Sequence, residues 1–588
     1  MPRDHDAAFL HVESSLSGRR WTGPSADALR LGEALAQATG LPAALAGVLA
    51  RQGVRAETAA AYLAPKLKDL LPDPRGLRDM ERAATRLDAA AERGERIAIF
   101  ADYDVDGGAS AALLIWWLRA LGRDATLYVP DRLREGYGPN PEAMAQLSAS
   151  HDLIVCVDCG TAAHEALEAA GGTDVIVLDH HLGTETPPPV LACVNPNRPD
   201  EDGALGHLCA AAVTFLCLVE ANRQRRGAGR EAPDLMGMTD LVALATVADV
   251  APLMGVNRAF VQAGLRAMGR GGRPGLEALA ATARLSGPPT PYHLGFVLGP
   301  RINAAGRVGR ADLGARLLAS ADRHEAAALA DRLEEVNAER KAVEGATRVA
   351  ALAQAEARLD ADPDAPLVWA AGEGWHPGVL GITAGQLARR FRRPAVVLGV
   401  ADGMAKGSGR SVAGVDLGSC VARMARAGEL ASGGGHVMAA GLSVGAGCVE
   451  AAMARLGELL ARQGAGGGEP SDLALDSMLM PGACDMALAR QLEAAGPWGE
   501  GASAPRFAVP EVRIHDARPV GQDGLRLTVS DGIGPRLQVI AFGAMSGPIG
   551  PRLLSHGGGR FHLAGRLEVN RWQGRESVQL ALIDAAEA

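Results

Sequence analysis

Three aspartates at alternate positions, Asp102, Asp104 and Asp106, follow the apolar run Ile97–Ala101 and lead through Gly107-Gly108 into an apolar helical pattern from Ala109 to Leu121. If the backbone stays extended through the acids, side chains at i, i+2 and i+4 share one side and the three carboxylates converge. A stable core gains nothing from that. Like charges held so close raise each other's pKa and lose solvation, unless a cation sits among them. Hard oxygen ligands point to magnesium or manganese rather than zinc or copper. The plain alternative is a solvated acidic turn after a strand. A calcium loop fits less well, because no acid closes the loop at its twelfth position and the flanks are strand then helix.

The pattern recurs downstream. Leu153–Val157 is an apolar run ending in Asp158, followed by Cys159-Gly160, and Val175–Leu178 ends in Asp179-His180-His181. Strands alternating with helices imply a parallel sheet, whose ligands lie just beyond the carboxyl ends of its strands. Three strands thereby deliver Asp104 and Asp106, Asp158, and His180 to one edge. A helical stretch apolar nearly all round, Leu241–Ala248, ends in one acid, Asp249, with Pro252 soon after.

Asp-Tyr-Asp-Val-Asp-Gly from Asp102, Val-Asp-Cys-Gly from Val157, Asp179-His180-His181 and the segment Ala245–Leu253, in that order, resemble the four motifs of the DHH phosphoesterases. Arg301-Ile302-Asn303-Ala304-Ala305-Gly306-Arg307 narrows the resemblance to RecJ-type single-strand-specific 5′→3′ exonucleases, over the chain from about residue 75 onward. This implies a two-metal phosphodiesterase that degrades single-stranded DNA from its 5′ end to 5′ mononucleotides, in repair and recombination. Asp104 and Asp158 would hold one Mn²⁺ or Mg²⁺; Asp106, Asp158, His180 and Asp249 would hold the second, with Asp158 bridging. Two such ions about 3.5–4 Å apart acidify a shared water and neutralise developing phosphoryl charge. Many relatives carry a ligand histidine where this chain has Phe100, so Asp102 would be either a ligand that supplies the missing charge or an acceptor in the outer shell. Asp179 would orient a neighbour, and His181 would face the scissile phosphate or leaving group.

Arg132, in the loop Tyr128–Gly138, together with Ser408 and Arg410 in Gly407–Ser411, would hold the 5′ phosphate. Arg301, Asn303 and Arg307, on a loop or at a helix start after Gly299-Pro300, would grip the next nucleotides. His436, presented by a turn at Gly433–Gly435, would touch phosphate or base.

Length and composition bound the rest. At 588 residues the chain is too long for one core, and 48% hydrophobic with 22% charged residues reads as globular. A net charge of −9 argues against a nucleic-acid partner only globally, because the local field decides. Eight cysteines show no framework spacing, and Cys156 and Cys159 read as buried thiols in a reducing compartment. No basic segment leads into an apolar core at the start, and the longest apolar stretch, Ala109–Leu118, is too short to span a bilayer. The expectation is a cytoplasmic monomer with no membrane association, and with a single-strand-binding protein or a helicase as protein partner.

Five segments are expected: a helical segment at 1–75, read as a lid or brace on the next domain; a parallel-sheet DHH phosphoesterase domain at 76–310; a connecting helix at 311–362; a second α/β, DHH-associated substrate-binding domain at 363–465; and an OB-type β barrel at 475–588. Gly464–Gly468 reads as a flexible linker, and Trp572 between Arg571 and Arg575 as a weak sign of base stacking. Two rival readings remain: a hydrolase of short oligonucleotides or cyclic dinucleotides, and a single-strand-binding scaffold without catalysis.

Overall fold

The computed structural model describes residues 7–132, 134–466, 472–572 and 574–588. Leu133, the last two residues of the expected linker and the side chain of Trp572 lie outside the described residues. The chain divides into two compact units, Leu70–Gly468 and Met1–Asp69 with Glu469–Ala588.

In the first unit, β1 (Ile97–Ala101), β2 (Thr126–Tyr128), β3 (Leu153–Val157), β4 (Asp174–Leu178) and β5 (Ala192–Val194) form a parallel sheet in the order β2-β1-β3-β4-β5. Both β1 and β3 are buried along their whole length, which is why their runs are apolar without alternation. Register brings Ala101, Val157, Leu178 and Val194 level with one another. Each next residue then pairs sideways: the Asp102, Asp158 and Asp179 amides donate to Val157 O, Leu178 O and Val194 O at 3.3, 2.9 and 3.1 Å. The acids therefore leave the sheet side by side.

Beyond β1 the backbone is not extended through all three acids. It turns at once into α1 (Val105–Ala120), with Asp104 as the cap and Asp106 in the first turn. Gly107 permits this, since a Cβ there would lie 2.4 Å from the Asp102 carbonyl oxygen. Further helices include α2 (Ala210–Gly227), α3 (Thr239–Ala248) and α4 (Gly299–Val308), so the arginine motif at 301–307 is helical throughout. The connecting helix, α5, spans Arg323–Ala361.

The DHH-associated part of this unit is a second sheet: β6 (Val368–Glu373), β7 (Ala395–Ala401), β8 (Met404–Arg410), β9 (Ser432–His436) and β10 (Ala439–Gly445), ordered β9-β10-β8-β7-β6. Helices α6 (Pro377–Phe391) and α7 (Leu417–Arg426) belong to it. Gly433–Gly435 form part of β9 and not a flexible turn. Close packing explains two of them: a Cβ on Gly433 would meet Val421 of α7 at 2.7 Å, and one on Gly435 would meet the Ala439 carbonyl of β10 at 2.3 Å.

In the second unit, β11 (Phe507–Val520), β12 (Gly524–Ser530), β13 (Leu537–Ala541), β14 (Arg560–Trp572) and β15 (Arg575–Glu587) close into a five-stranded barrel through the β11–β14 pairing. Strand β11 is bulged, with a register shift between Val509 and Val512. Helices Ala26–Thr39 and Ala43–Arg51 bury Leu35, Leu45, Val48 and Leu49 in the barrel's own core, with Phe507, Val512 and Leu563. The N-terminal helices are thus part of the barrel unit, and the lid or brace reading is corrected: their apolar stripe is satisfied by strands more than 400 residues away in sequence.

Candidate active site

Asp102 and Asp158 are buried one residue past their strands, and Asp158 takes a left-handed φ of 60° to turn its carboxylate along the sheet edge. Asp104 Oδ1 accepts the amides of Asp106 and Gly107 at 2.8 and 3.1 Å, the capping geometry that starts α1. Buried Asp106 sits at the head of α2, where its two oxygens accept the Ala210 and Ala211 amides at 2.6 and 2.7 Å. Asp249 ends α3. His180 Nε2 lies between them, 3.3 Å from Asp158, 3.7 Å from Asp106 and 3.8 Å from Asp249.

Three groups of donors each fall within 4.8 Å: Asp102, Asp104 and Asp158; Asp106, His180 and Asp249; and Asp158, His180 and His181. Burial is the main reason the carboxylates resist ionising, and their neighbours add to it. Asp102 is pushed well above the ordinary range by burial and then by Asp104. Asp158 is pushed well up by burial and then by Asp106. Asp106 is raised by burial against the opposing pull of His180. Burial and then Asp106 push Asp249 up to about 8.

Asp179 is the exception. Burial opposes its charge, yet the hydrogen bond from His181 Nδ1 at 2.8 Å and the charge of that ring hold it below the usual carboxylate range. The same pairing carries His181 up to about 9, although burial pulls the other way. Sequence reasoning missed the groups that fix this pair. Tyr137 places its hydroxyl 3.1 Å from His181 Nδ1 and 3.2 Å from Nε2, and Asn195 and Asn197 donate to the His181 and His180 carbonyls at 2.8 and 2.6 Å. Asn195 follows β5 directly, so the strand-end pattern that singled out the acids also marked this residue.

The second feature is a set of arginines reached mainly by other arginines. Burial, then Arg132, Arg340 and Arg410, bring Arg307 down to about 10; burial and then Arg132 lower Arg410. Arg132 stands over the Tyr103 ring at 5.1 Å, and Arg410 Nη1 reaches Ser408 Oγ at 3.3 Å. Arg307 also donates to Gly378 O at 3.1 Å, a contact that needs glycine there because a Cβ on Gly378 would meet Arg307 O at 2.3 Å. Helices α4 and α6 are pinned together at that point.

Two expected substrate contacts are otherwise engaged. The Arg301 guanidinium donates to both Glu334 oxygens, at 2.5 and 3.3 Å, and to Val297 O at 2.7 Å, tying α4 to α5. Asn303 Oδ1 accepts the Val105 amide at 3.0 Å and so holds the start of α1. Exposed His436 ends β9, level with Ala439 on β10, which pairs with Arg410 on β8. Phe100 stacks on Tyr128 at 5.3 Å inside the core.

Residues 96–246 match the DHH family, N-terminal domain; 364–462 match the DHHA1 domain and 475–584 the RecJ OB domain. The single-stranded-DNA-specific exonuclease RecJ of Dickeya dadantii is 36% identical over 560 residues, covering 92% of this chain and 96% of the relative. The chain belongs to the RecJ family of single-stranded-DNA-specific exonucleases. Two solved structures of a RecJ from Thermus thermophilus carry the same fold. The one in complex with Mn²⁺ has a TM-score of 0.79 at 30% identity, covering 97% of this chain and 79% of that one. The one in complex with Mg²⁺ has a TM-score of 0.74 at 29% identity, with 97% and 78% covered. Among the described residues, no helix is long and apolar enough to cross a membrane.

Proposed function

We propose that this chain hydrolyses single-stranded DNA in the 5′→3′ direction to 5′ mononucleotides, using two divalent ions, Mn²⁺ or Mg²⁺. The observation that carries the reading is the buried pair of orphaned oxygens, Asp102 Oδ1 and Asp158 Oδ1, which have no hydrogen-bond partner among the described residues. A buried, unpartnered carboxylate oxygen costs several kcal/mol, roughly, unless a cation compensates it. Oxygen donors with one imidazole suit Mn²⁺ or Mg²⁺. Asp102, Asp104 and Asp158 would hold one ion, and Asp106, His180 and Asp249, with Asp158 bridging, the other. Phe100 is committed to the core, and Asp102 supplies the charge that a histidine would otherwise bring. Bound there, the ions would activate water and neutralise phosphoryl charge.

The chain's own side chains do the rest. Asp179 holds the proton on His181 Nδ1, which keeps that ring cationic and turned toward the phosphoryl or leaving oxygen. Tyr137 adds a second contact to the ring, its hydroxyl 3.1 and 3.2 Å from Nδ1 and Nε2. Arg132, Arg307, Arg410 and Ser408 form a pocket for a terminal 5′ phosphate, which sets the polarity of attack. Asn303 keeps Asp104 and Asp106 in place through Val105, and Arg301 braces the helix that carries Arg307. His436 extends the same strand edge toward the next nucleotide. The family's activity implies a role in repair and recombination, where a single-strand-binding protein or helicase would present the strand; the chain would work as a cytoplasmic monomer.

End-labelled single strands and duplexes, incubated with metal-depleted protein and then with Mn²⁺ or Mg²⁺, test this. Mononucleotides should be released stepwise from the 5′ end of single strands alone. Release from the 3′ end, equal loss of duplex, or full activity in chelator would overturn it. A dinucleotide hydrolysed in preference to long strands would favour the short-oligonucleotide reading.

A further inference from the structure

Ahead of α4 the chain forms one π-helical turn, His293–Leu298. Its inward residues are Leu294 and Leu298, both buried. Two aromatics face outward, Tyr292 at the cap of the turn, 64% exposed, and Phe296 within it, 72% exposed, and their rings stack at 5.2 Å with 21° between planes. The chain has only five tyrosines and nine phenylalanines, so two of them placed side by side in solvent add nothing to the core. Turns of this kind recur at functional sites.

The turn lies directly on the metal-binding elements. A Cβ on Gly295 would meet Val247 at 3.3 Å, and one on Gly299 would meet Ala248 at 3.3 Å and Val105 at 3.9 Å. Val247 and Ala248 end the helix that delivers Asp249, and Val105 lies between Asp104 and Asp106. Arg301 anchors the turn through its bond to Val297 O at 2.7 Å. After Asp249, Val250 and Met254 add further exposed apolar surface, 63% and 50% exposed.

We infer that Tyr292 and Phe296 are a stacking platform for unpaired nucleobases of the substrate strand close to the scissile phosphate. This rests on the exonuclease reading and adds a determinant of strand choice. Every base offers a flat π face to an exposed ring, whereas in a duplex that face is covered by its neighbours. The platform therefore favours single strands over duplex without reading sequence, and it adjoins the ligand Asp249, so continuity with the centre favours bases over a protein partner.

The test is a cycle of protein and substrate changes on 5′-phosphorylated 20-mers. Ordinary strands are compared with strands carrying abasic residues at the second to fifth positions, for the full-length wild type and for the Tyr292→Ala, Phe296→Ala double variant. Stacking on aromatics corresponds to about 5- to 150-fold per base. The double variant should raise KM for the ordinary strand by that order, and abasic substitution should raise KM for the wild type but little further for the variant. Tyr292→Phe with Phe296→Tyr should restore the wild-type pattern. Equal penalties from abasic residues in both proteins, or an unchanged KM in the double variant, would overturn the platform. So would a variant whose sole change, seen by sedimentation, is loss of self-association. A wild type that fails to degrade the ordinary strand from its 5′ end would instead refute the exonuclease reading itself.

Discussion

Depleting the protein of divalent ions should make its stability fall as pH rises from 6 to 8, opposite to the behaviour of a protein held by ordinary ion-paired carboxylates. Asp249 stands at about 8 in the fold against 3.8 for a free aspartate. Between those values the native state binds more protons than the unfolded one, so stability is fully present below pH 4 and drains away up to about pH 8. At about 1.36 kcal/mol per pH unit, flattening as the group half-titrates at pH 8, one such group costs roughly 2.3 kcal/mol between pH 6 and 8. For a unit of some 400 residues that is a fall of about 3 °C in melting midpoint. His181, raised to about 9, acts in the same direction, since it too holds a native proton that the unfolded chain releases. Asp179, held low by His181, stays ionised in both states across this window and contributes no slope. Saturating Mn²⁺ takes the protons' place, so its stabilisation should be larger at pH 8 than at pH 6. Melting curves at both pH values, with chelator and with Mn²⁺, decide the matter. A metal-free midpoint that is flat or rising, or an equal Mn²⁺ shift at both pH values, would refute the reasoning.

Asp158→Asn should remove nearly all cleavage while single-strand binding, measured by fluorescence anisotropy, stays within a few fold; turnover near wild type would dismiss a bridging role. Arg410→Ala removes a charge-assisted contact worth about 1.5–3 kcal/mol, so KM for 5′-phosphorylated strands should rise roughly 10- to 100-fold and that for 5′-hydroxyl strands much less. Equal effects would place the phosphate pocket elsewhere. Asp179→Asn should lower kcat by about 10- to 100-fold and move the alkaline limb of the pH profile down from about 9, as His181 returns toward its ordinary value of 6.5. An unshifted limb would show that another group carries it.

The acids were legible in the sequence because a parallel sheet buried on both faces writes its strands as unbroken apolar runs, and whatever follows each run stands at the ligand edge. What escaped was tertiary. Arg301 and Arg307 are the same residue type in one short motif, yet Arg301 meets Glu334 on α5 while Arg307 donates to the Gly378 carbonyl and feels the charge of other arginines. Nothing within the motif separates them. Three glycines at 433–435 carry turn propensity, and pairing with β10 overrides it. The apolar stripe at Leu35, Leu45 and Leu49 was visible, but its partner strands lie at the far end of the chain.

A net charge of −9 would repel a polyanionic substrate if it were spread evenly, and the geometry shows that it is not. Charges are screened over about 8 Å at physiological salt, so distant surface acids hardly reach the cleft. The signs are sorted: Asp102, Asp104, Asp106, Asp158 and Asp249 crowd at the sheet edge, while Arg132 and Arg307 act on Tyr103 and Arg132 acts on Arg410. The repulsion among those guanidiniums is a cost the free protein bears and a terminal phosphate relieves. Binding and positioning thereby draw on the same destabilisation, and neutralising Arg410 should weaken phosphate recognition while easing, not worsening, the stability of the fold, whereas neutralising Arg307, which pins α4 to α6 through Gly378 O, should cost stability.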